Sequence, residues 1–319
     1  MSDISLKKPE VQAPEGSGAA LTSSRDSRRW RTDLSGYGFM LPFLIVYVLF
    51  LLWPVLLMLR MSFFNWSLDG HGTTDFLGLA NYGAVFSDSN FWQALWNTLV
   101  FTVISTPVIV IVSLALALLC NRAIPAKGFF RTIFFAPFVL PVSVVVIIWN
   151  WLYEPGFGLY DGILAQVNLP GVNWLTQPGV AMVAIVILTL WWTVGFSFVL
   201  YLAGLQQIPR DLHDAASIDG AGGLARTRWI TIPLLGRITA LIMILQIIAS
   251  LQVFGQIYLL NMGGPSFSTR PVLQYIYEAG FSELRVGFAA AMSFIFFVVV
   301  ALVSIVWFVT LQRVQRGNN

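Results

Sequence analysis

The residues with most chemical content lie between two long apolar runs. They read Ile208-Pro-Arg-Asp-Leu-His-Asp-Ala-Ala-Ser-Ile-Asp-Gly-Ala221 and continue to Ile230-Thr-Ile-Pro-Leu-Leu235. Acidic groups beside paired alanines suit docking rather than bond-breaking. Pro209 fits the first turn of a helix, where a missing N–H costs nothing. Asp211 and Asp214 then lie near the positive end of that helix. Leu212, Ala215 and Ala216 fall together at helical spacing, and two alanines without bulk let a partner seat closely. Asp214 is placed to pair with a partner's cation. Gly220 can take positive φ and end the helix. A second helical stretch, about 222–231, carries Ile230 and meets the next apolar run at Pro233. The expected product is an angled projection of two short helices.

Other chemistry is poorly provided for. The chain has 1 cysteine, Cys120, and 2 histidines, His71 and His213, so neither a disulfide nor a Cys/His metal site is expected. Its lysines are Lys7, Lys8 and Lys127, and none stands in the Gly-x-x-x-x-Gly-Lys context that cradles phosphates. No apolar run offers paired carboxylates or a Ser/His arrangement, so no catalytic residue is assigned and an enzyme is not expected.

The elements that must hold the projection are membrane spans. The 319 residues are 57% hydrophobic and only 10% charged, against roughly 25% charged in soluble proteins. Six runs, approximately 39–60, 95–120, 132–152, 180–204, 238–260 and 286–311, reach the length that crosses a bilayer as a helix. None is charged in its centre; Arg60, Arg237 and Arg285 sit at edges, where long side chains reach headgroups. Fifteen of the 18 basic residues fall in 1–38, 121–131, 205–237 and the tail after 311, leaving Arg60, Arg270 and Arg285 opposite. The positive-inside rule places both termini and the Ala215 loop in the cytoplasm. This bias accounts for the net charge of +3 without invoking nucleic acid. The polar segment 1–38 has the composition of a disordered tail and is too long and polar to open a cleavable signal peptide. The expected organisation is a tail (1–38), an all-α, six-helix membrane domain (39–311, with the loop 205–237) and a short cytoplasmic tail (312–319).

Pro42, Pro54, Pro107, Pro137 and Pro141 lie in the first three runs. Such prolines bend membrane helices, as fixed shape or as hinges. Aromatic residues in 61–94 and 153–179, among them Trp66, Trp92, Tyr153, Tyr160 and Trp174, suit an interfacial belt or stacking on sugar rings. The stretch Leu259-Leu-Asn-Met-Gly-Gly-Pro265 permits a tight reversal. Leu273-Gln-Tyr-Ile-Tyr-Glu-Ala-Gly-Phe281 after it reads as an amphipathic helix.

The loop resembles the EAA loop of ATP-binding-cassette importer membrane subunits. In that pattern an acidic residue and two alanines are followed by glycine and then Ile-x-Leu-Pro. Asp214, Ala215, Ala216, Gly220, Ile230 and Pro233 occupy its positions. Asp214 stands where the family prefers Glu, and Ile232 where it prefers Leu. The Gly263-Gly264-Pro265 turn, with Asn261 at the family's Thr position, and the Tyr-Ile-Tyr segment resemble carbohydrate-importer permeases of the maltose and glycerol-phosphate type. The resemblance runs from about 39 to 311.

It implies a type I ABC importer permease fold in the cell membrane. A second, related permease chain, two cytoplasmic ATPase subunits using ATP and magnesium, an external solute-binding protein and a sugar are the implied partners. The chain itself is expected to bind no cofactor. Coupling falls to the six loop positions named above. The spans carry only neutral polar groups, including Asn97, Thr193 and Ser197, which suits an uncharged, hydroxyl-rich solute. Gln246, Ser250, Gln252 and Gln256, on the run after the loop, and Asn150 with Trp151 are the candidates for the solute path. Glycerol phosphate as solute, or a stand-alone carrier, are the alternatives.

Overall fold

The computed structural model describes residues 39–67, 75–121 and 127–316. The tail 1–38, His71 and Arg122 lie outside the described residues, as do the side chains of Lys127 and of 311–316. The described residues are almost wholly helical, because a chain this apolar must satisfy its backbone groups within each segment. Four helices are long and apolar enough to cross a membrane, or up to 6 if each of two bent pairs is one span.

The first span is α1 (Phe39–Met61). By contact the chain divides after Leu57, and the packing that follows belongs to the larger unit. There α2 (Ala80–Ser87) leads into α3 (Ser89–Asn121). The third run is α4 (Lys127–Val139) and α5 (Val142–Leu152), with the short α6 (Leu159–Gln166) beyond. The fourth is α7 (Val180–Gln206). The loop supplies α8 (Arg210–Ile218) and α9 (Gly223–Leu234). Then come α10 (Gly236–Leu251), α11 (Gly255–Asn261), α12 (272–282, closing in a π turn) and α13 (Val286–Arg316).

Helices α3 and α7 form the centre, with α4 and α10 packed against them. Three buried clusters hold these helices together. One joins Phe91, Leu95, Leu251, Val272 and Met292. A second gathers Phe101, Trp149, Ile185, Leu188 and Ile257. The third contains Val110, Phe198, Tyr201, Leu235 and Ile242. At the crossing of α7 and α4 the two backbones approach closely. A Cβ at Gly195 would lie 2.4 Å from the Phe134 carbonyl oxygen and 2.8 Å from Phe135 Cα, so only glycine lets the two backbones meet.

Two expected spans are not straight. The run 132–152 bends by 102° between α4 and α5. Pro141 stands at the corner in extended geometry, φ −61° and ψ 145°. The Leu140 carbonyl there accepts a hydrogen bond from Trp192 Nε1 of α7 at 3.1 Å, which removes the cost of an open backbone group in lipid. The run expected over 238–260 is also corrected. Its helix stops at Leu251, Phe254 takes φ −153° and ψ −67°, and α11 begins afresh. On the other side, α9 and α10 meet at 64°. The last helix continues past the expected limit of 311 to Arg316.

The loops between the helices are tied down by polar groups. Asp161 accepts N–H bonds from Gly156 (2.9 Å) and Val172 (3.2 Å), and these donors hold its carboxyl below the usual carboxylate range. Asn97 of α3 donates to the carbonyls of Phe267 (2.9 Å) and Arg270 (3.1 Å). Arg270 is buried, paired with Glu278 at 3.2 Å, and lies between the rings of Phe267 and Tyr275 at 3.9 and 4.5 Å. Tyr275 donates in turn to Asp88, and burial, then that bond, push its hydroxyl pKa up. Asn261 Nδ2 donates to the Gly264 carbonyl at 2.8 Å, so the residue at the family's Thr position closes the turn itself.

Candidate functional sites: an intramembrane cavity and a helical projection

The projection forms as its residues demand. Pro209 precedes α8 with ψ 134°, so it introduces the helix from just outside its first turn. Asp211 alone is acidic in that turn, and Asp214 sits one turn further in. At the far end Ala221 N–H bonds to the Ala216 carbonyl (2.8 Å) and Gly220 N–H to that of Ser217 (3.1 Å). This pair of bonds is the Schellman closure, and Gly220 makes it possible with φ +79°. Arg226 of α9 donates to Ser217 Oγ at 2.7 Å, which fixes the two short helices to each other. Asp214 and Ala215 are exposed, and Ala216 is half-buried. Beside them Ile218 is 87% exposed, an apolar group that a lone loop has no reason to present. Ile230 is half-buried, and Pro233 opens the last turn of α9 with no N–H to lose.

Within the membrane region a cavity of about 200 Å³ is lined by Phe138, Thr193, Phe196, Ser197, Leu245, Gln246 and Ala249. Phe138 and Phe196 stack at 5.3 Å with planes 24° apart. Thr193 uses its proton on the Thr189 carbonyl at 2.7 Å. Gln246 donates to Ser250 Oγ at 3.3 Å, and Ser250 is in turn held by Ser105 (3.2 Å) and Thr106 (3.3 Å) of α3. Gln246 Oε1 therefore has no partner among the described residues. The lining contains amide, hydroxyls and aromatic faces, and no charged residue.

The six path candidates separate accordingly. Gln246 lines the cavity, and Ser250 supports it from behind. Gln256 sits on α11, where it reaches Thr189 Oγ1 at 3.5 Å. Gln252 is exposed in the break after α10. Asn150 is half-buried and Trp151 is 58% exposed near the end of α5; neither lines the cavity. On one continuous helix Gln246, Ser250, Gln252 and Gln256 would spread over an arc of roughly 160°, and the break after Leu251 sets Gln256 on a separate helix. Phe138 and Phe196 were not singled out, since nothing in a run of apolar residues marks which ones face a cavity. Thr193 and Ser197 had the right chemistry but no sign of facing Gln246.

Residues 76–316 match the family described as the binding-protein-dependent transport system inner membrane component. The chain belongs to this family. The permease is 35% identical over 283 residues to the trehalose/maltose transport system permease protein of Thermococcus litoralis, covering 88% of this chain and 94% of that one. It is 34% identical over 266 residues to the sulfoquinovosyl glycerol transport system permease protein of Agrobacterium fabrum, covering 83% and 86%. A third relative, the sn-glycerol-3-phosphate transport system permease protein of the same organism, is 33% identical over 281 residues, covering 86% and 94%. The fold is also that of a solved chain from a bacterial ABC transporter for import of the acidic polysaccharide alginate. There the TM-score is 0.80 at 23% identity, over 91% of this chain and 99% of that one. The expected importer-permease fold thus stands, with two of its spans broken.

Proposed function

We propose that the permease forms half of an alternating-access path for a sugar or oligosaccharide and is driven by ATPase subunits docked on α8. The observation that carries the sugar reading is the cavity itself. Gln246, Thr193 and Ser197 offer neutral hydrogen-bonding groups, and the Phe138–Phe196 stack offers a flat apolar wall. A pyranose presents matching hydroxyl edges and C–H faces. The relatives named for trehalose/maltose and sulfoquinovosyl glycerol support it. The relative named for glycerol phosphate keeps a second solute in view, but desolvating a phosphate without a cation is costly, and this lining supplies none.

In this reading a related second permease chain closes the path, a solute-binding protein delivers sugar from outside, and both termini lie in the cytoplasm. ATP binding draws the two ATPases together, α8 follows, and the cavity opens outward; hydrolysis resets it. The chain is not an enzyme and holds no nucleotide; Mg-ATP belongs to its partners.

The decisive experiment measures uptake of labelled maltose, trehalose and sn-glycerol 3-phosphate by the assembled importer. Gln246→Ala is expected to raise the half-saturation for the transported disaccharide about tenfold, as loss of one neutral hydrogen bond in a dry site costs about 1–2 kcal/mol, with ATPase association retained. Unchanged half-saturation would remove the cavity from the path, and uptake of glycerol phosphate alone would replace the sugar. Topology is checked in a Cys120→Ala background. Ser217→Cys is expected to react with impermeant maleimide only from the cytoplasmic side, and Ser266→Cys only from outside. The reverse pattern at either position overturns the orientation.

A further inference from the structure

Past the break that ends α10, four aromatic rings run together on two elements. Phe254 and Tyr258 stack at 5.4 Å with planes 26° apart. Tyr277 of α12 meets Phe254 at 5.5 Å and Tyr258 at 5.4 Å. Phe281 extends the series at 5.3 Å from Tyr277. We propose that this ladder is an outer platform for a pyranose ring, occupied before the sugar reaches the Thr193–Gln246 cavity. The proposal rests on the sugar reading above and names where that sugar binds first.

Three observations point the same way. The ladder is accessible: Phe254 and Tyr258 are half-buried, Tyr277 is 37% exposed and Phe281 66% exposed. The other aromatic pile, around Trp149 and Tyr153, is 3% and 1% exposed at those residues and therefore builds the core. Next, the ladder begins at a non-helical stretch, Gln252 to Phe254. Irregular backbone at membrane depth is tolerated where it faces protein or a watered passage, not lipid. Gln252 is exposed there, and its amide bonds to no described residue, which leaves it for a sugar hydroxyl. Lastly, a short run of contacts leads from the ladder's helix to the cavity wall. Gln256, two residues before Tyr258, reaches Thr189 at 3.5 Å, and Thr193, one turn along α7, lines the cavity.

The chemistry fits an uncharged ring. A π face is electronegative and attracts the C–H face of a pyranose, while the Tyr258 and Tyr277 hydroxyls stand at the ring edges. Among the described residues the nearby carboxylates already have partners: Glu278 is held by Arg270 (3.2 Å) and Gln274 (2.8 Å), and the exposed Glu283 by Arg285 (3.3 Å). Belt aromatics project singly towards headgroups; rings joined across two elements beside an unpaired amide form a surface.

The test is equilibrium binding of tritiated maltose, trehalose and lactose to the assembled permease–ATPase complex in lipid nanodiscs, without the solute-binding protein. Tyr258→Ala and Tyr277→Ala are each expected to weaken binding about two- to tenfold, the range measured for one aromatic contact. Tyr258→Phe and Tyr277→Phe, which keep the ring, are expected to stay within about twofold of wild type on the same scale. Alanine variants that bind as wild type overturn the platform, as does a fall in membrane abundance with unchanged affinity, which assigns the rings to the lipid interface. Wild type that binds Gln246-dependently while the tyrosines are silent leaves the cavity reading standing. Wild type that binds none of the three sugars overturns the sugar reading and the platform together.

Discussion

Gly195→Leu is expected to leave almost no folded permease in the membrane. The atoms that a side chain would meet, Phe134 O at 2.4 Å and Phe135 Cα at 2.8 Å, are backbone of α4 and cannot swing aside. Overpacking of this kind costs about 1–3 kcal/mol per small intrusion, and leucine adds three carbons beyond the offending Cβ. The α4–α5 corner would be pushed off α7, and the Trp192–Leu140 hydrogen bond across it would break. Membrane abundance by immunoblot should fall at least several-fold, since a loss of about 1–2 kcal/mol already changes abundance that much through clearance of unfolded chains. Gly195→Ala should be intermediate. Gly128→Ala, with open space around its Cβ, should be silent. A Gly195→Leu chain present at normal level would show that the crossing is not as close as described.

Gly220→Val is expected to act oppositely, with normal abundance and uptake lost to within background. Nothing lies within 4 Å of its Cβ position, so no clash arises, but φ is +79°. A β-branched residue there costs about 1–3 kcal/mol, enough to abandon the Schellman closure and extend α8 past Ile218. The face bearing Asp214 and Ala215 would then leave its docking angle. Copurified ATPase should drop with uptake. Gly220→Asn, which tolerates positive φ, should retain much of the activity. Ala215→Asp, which puts a carboxylate on the same exposed face, should also abolish uptake at normal abundance. Wild-type uptake by Gly220→Val would detach α8 from coupling.

The contrast between these two glycines shows what a single sequence discloses. Gly220 was legible because its neighbours are local: an amphipathic turn precedes it, a polar stretch surrounds it, and helix-end geometry acts over a few residues. Gly195 was not, since its partner, Phe134, is sixty-one positions away. Apolar runs announced four helices long enough to cross and two bent pairs, because length and apolar composition are local properties. They did not announce the stop at Leu251, where no proline or charge interrupts the run. Pro137 and Pro141 did flag the α4–α5 corner, though as a bend of unstated size. Polar identity singled out Gln246, which lines the cavity, while Gln252 and Gln256 were drawn in by a helix that does not continue. Phe138 and Phe196 needed three dimensions.

The backbone contact at Gly195 also has a mechanical meaning. Helix α7 has 27 residues, and at about 1.5 Å rise per residue Gly195 stands about 22 Å from its first residue and about 16 Å from its last. A contact with no side chain between the rods would act as a fulcrum if α7 tilts against α4. A tilt of about 5° about it sweeps the two ends of α7 through about 2 Å and about 1.4 Å in opposite directions. Thr193 and Ser197, each two residues from the fulcrum, would shift by only about 0.3 Å. The lever's still point thus coincides with the cavity. The two ends of α7 can then move in opposite senses while the polar groups of the cavity hold their spacing.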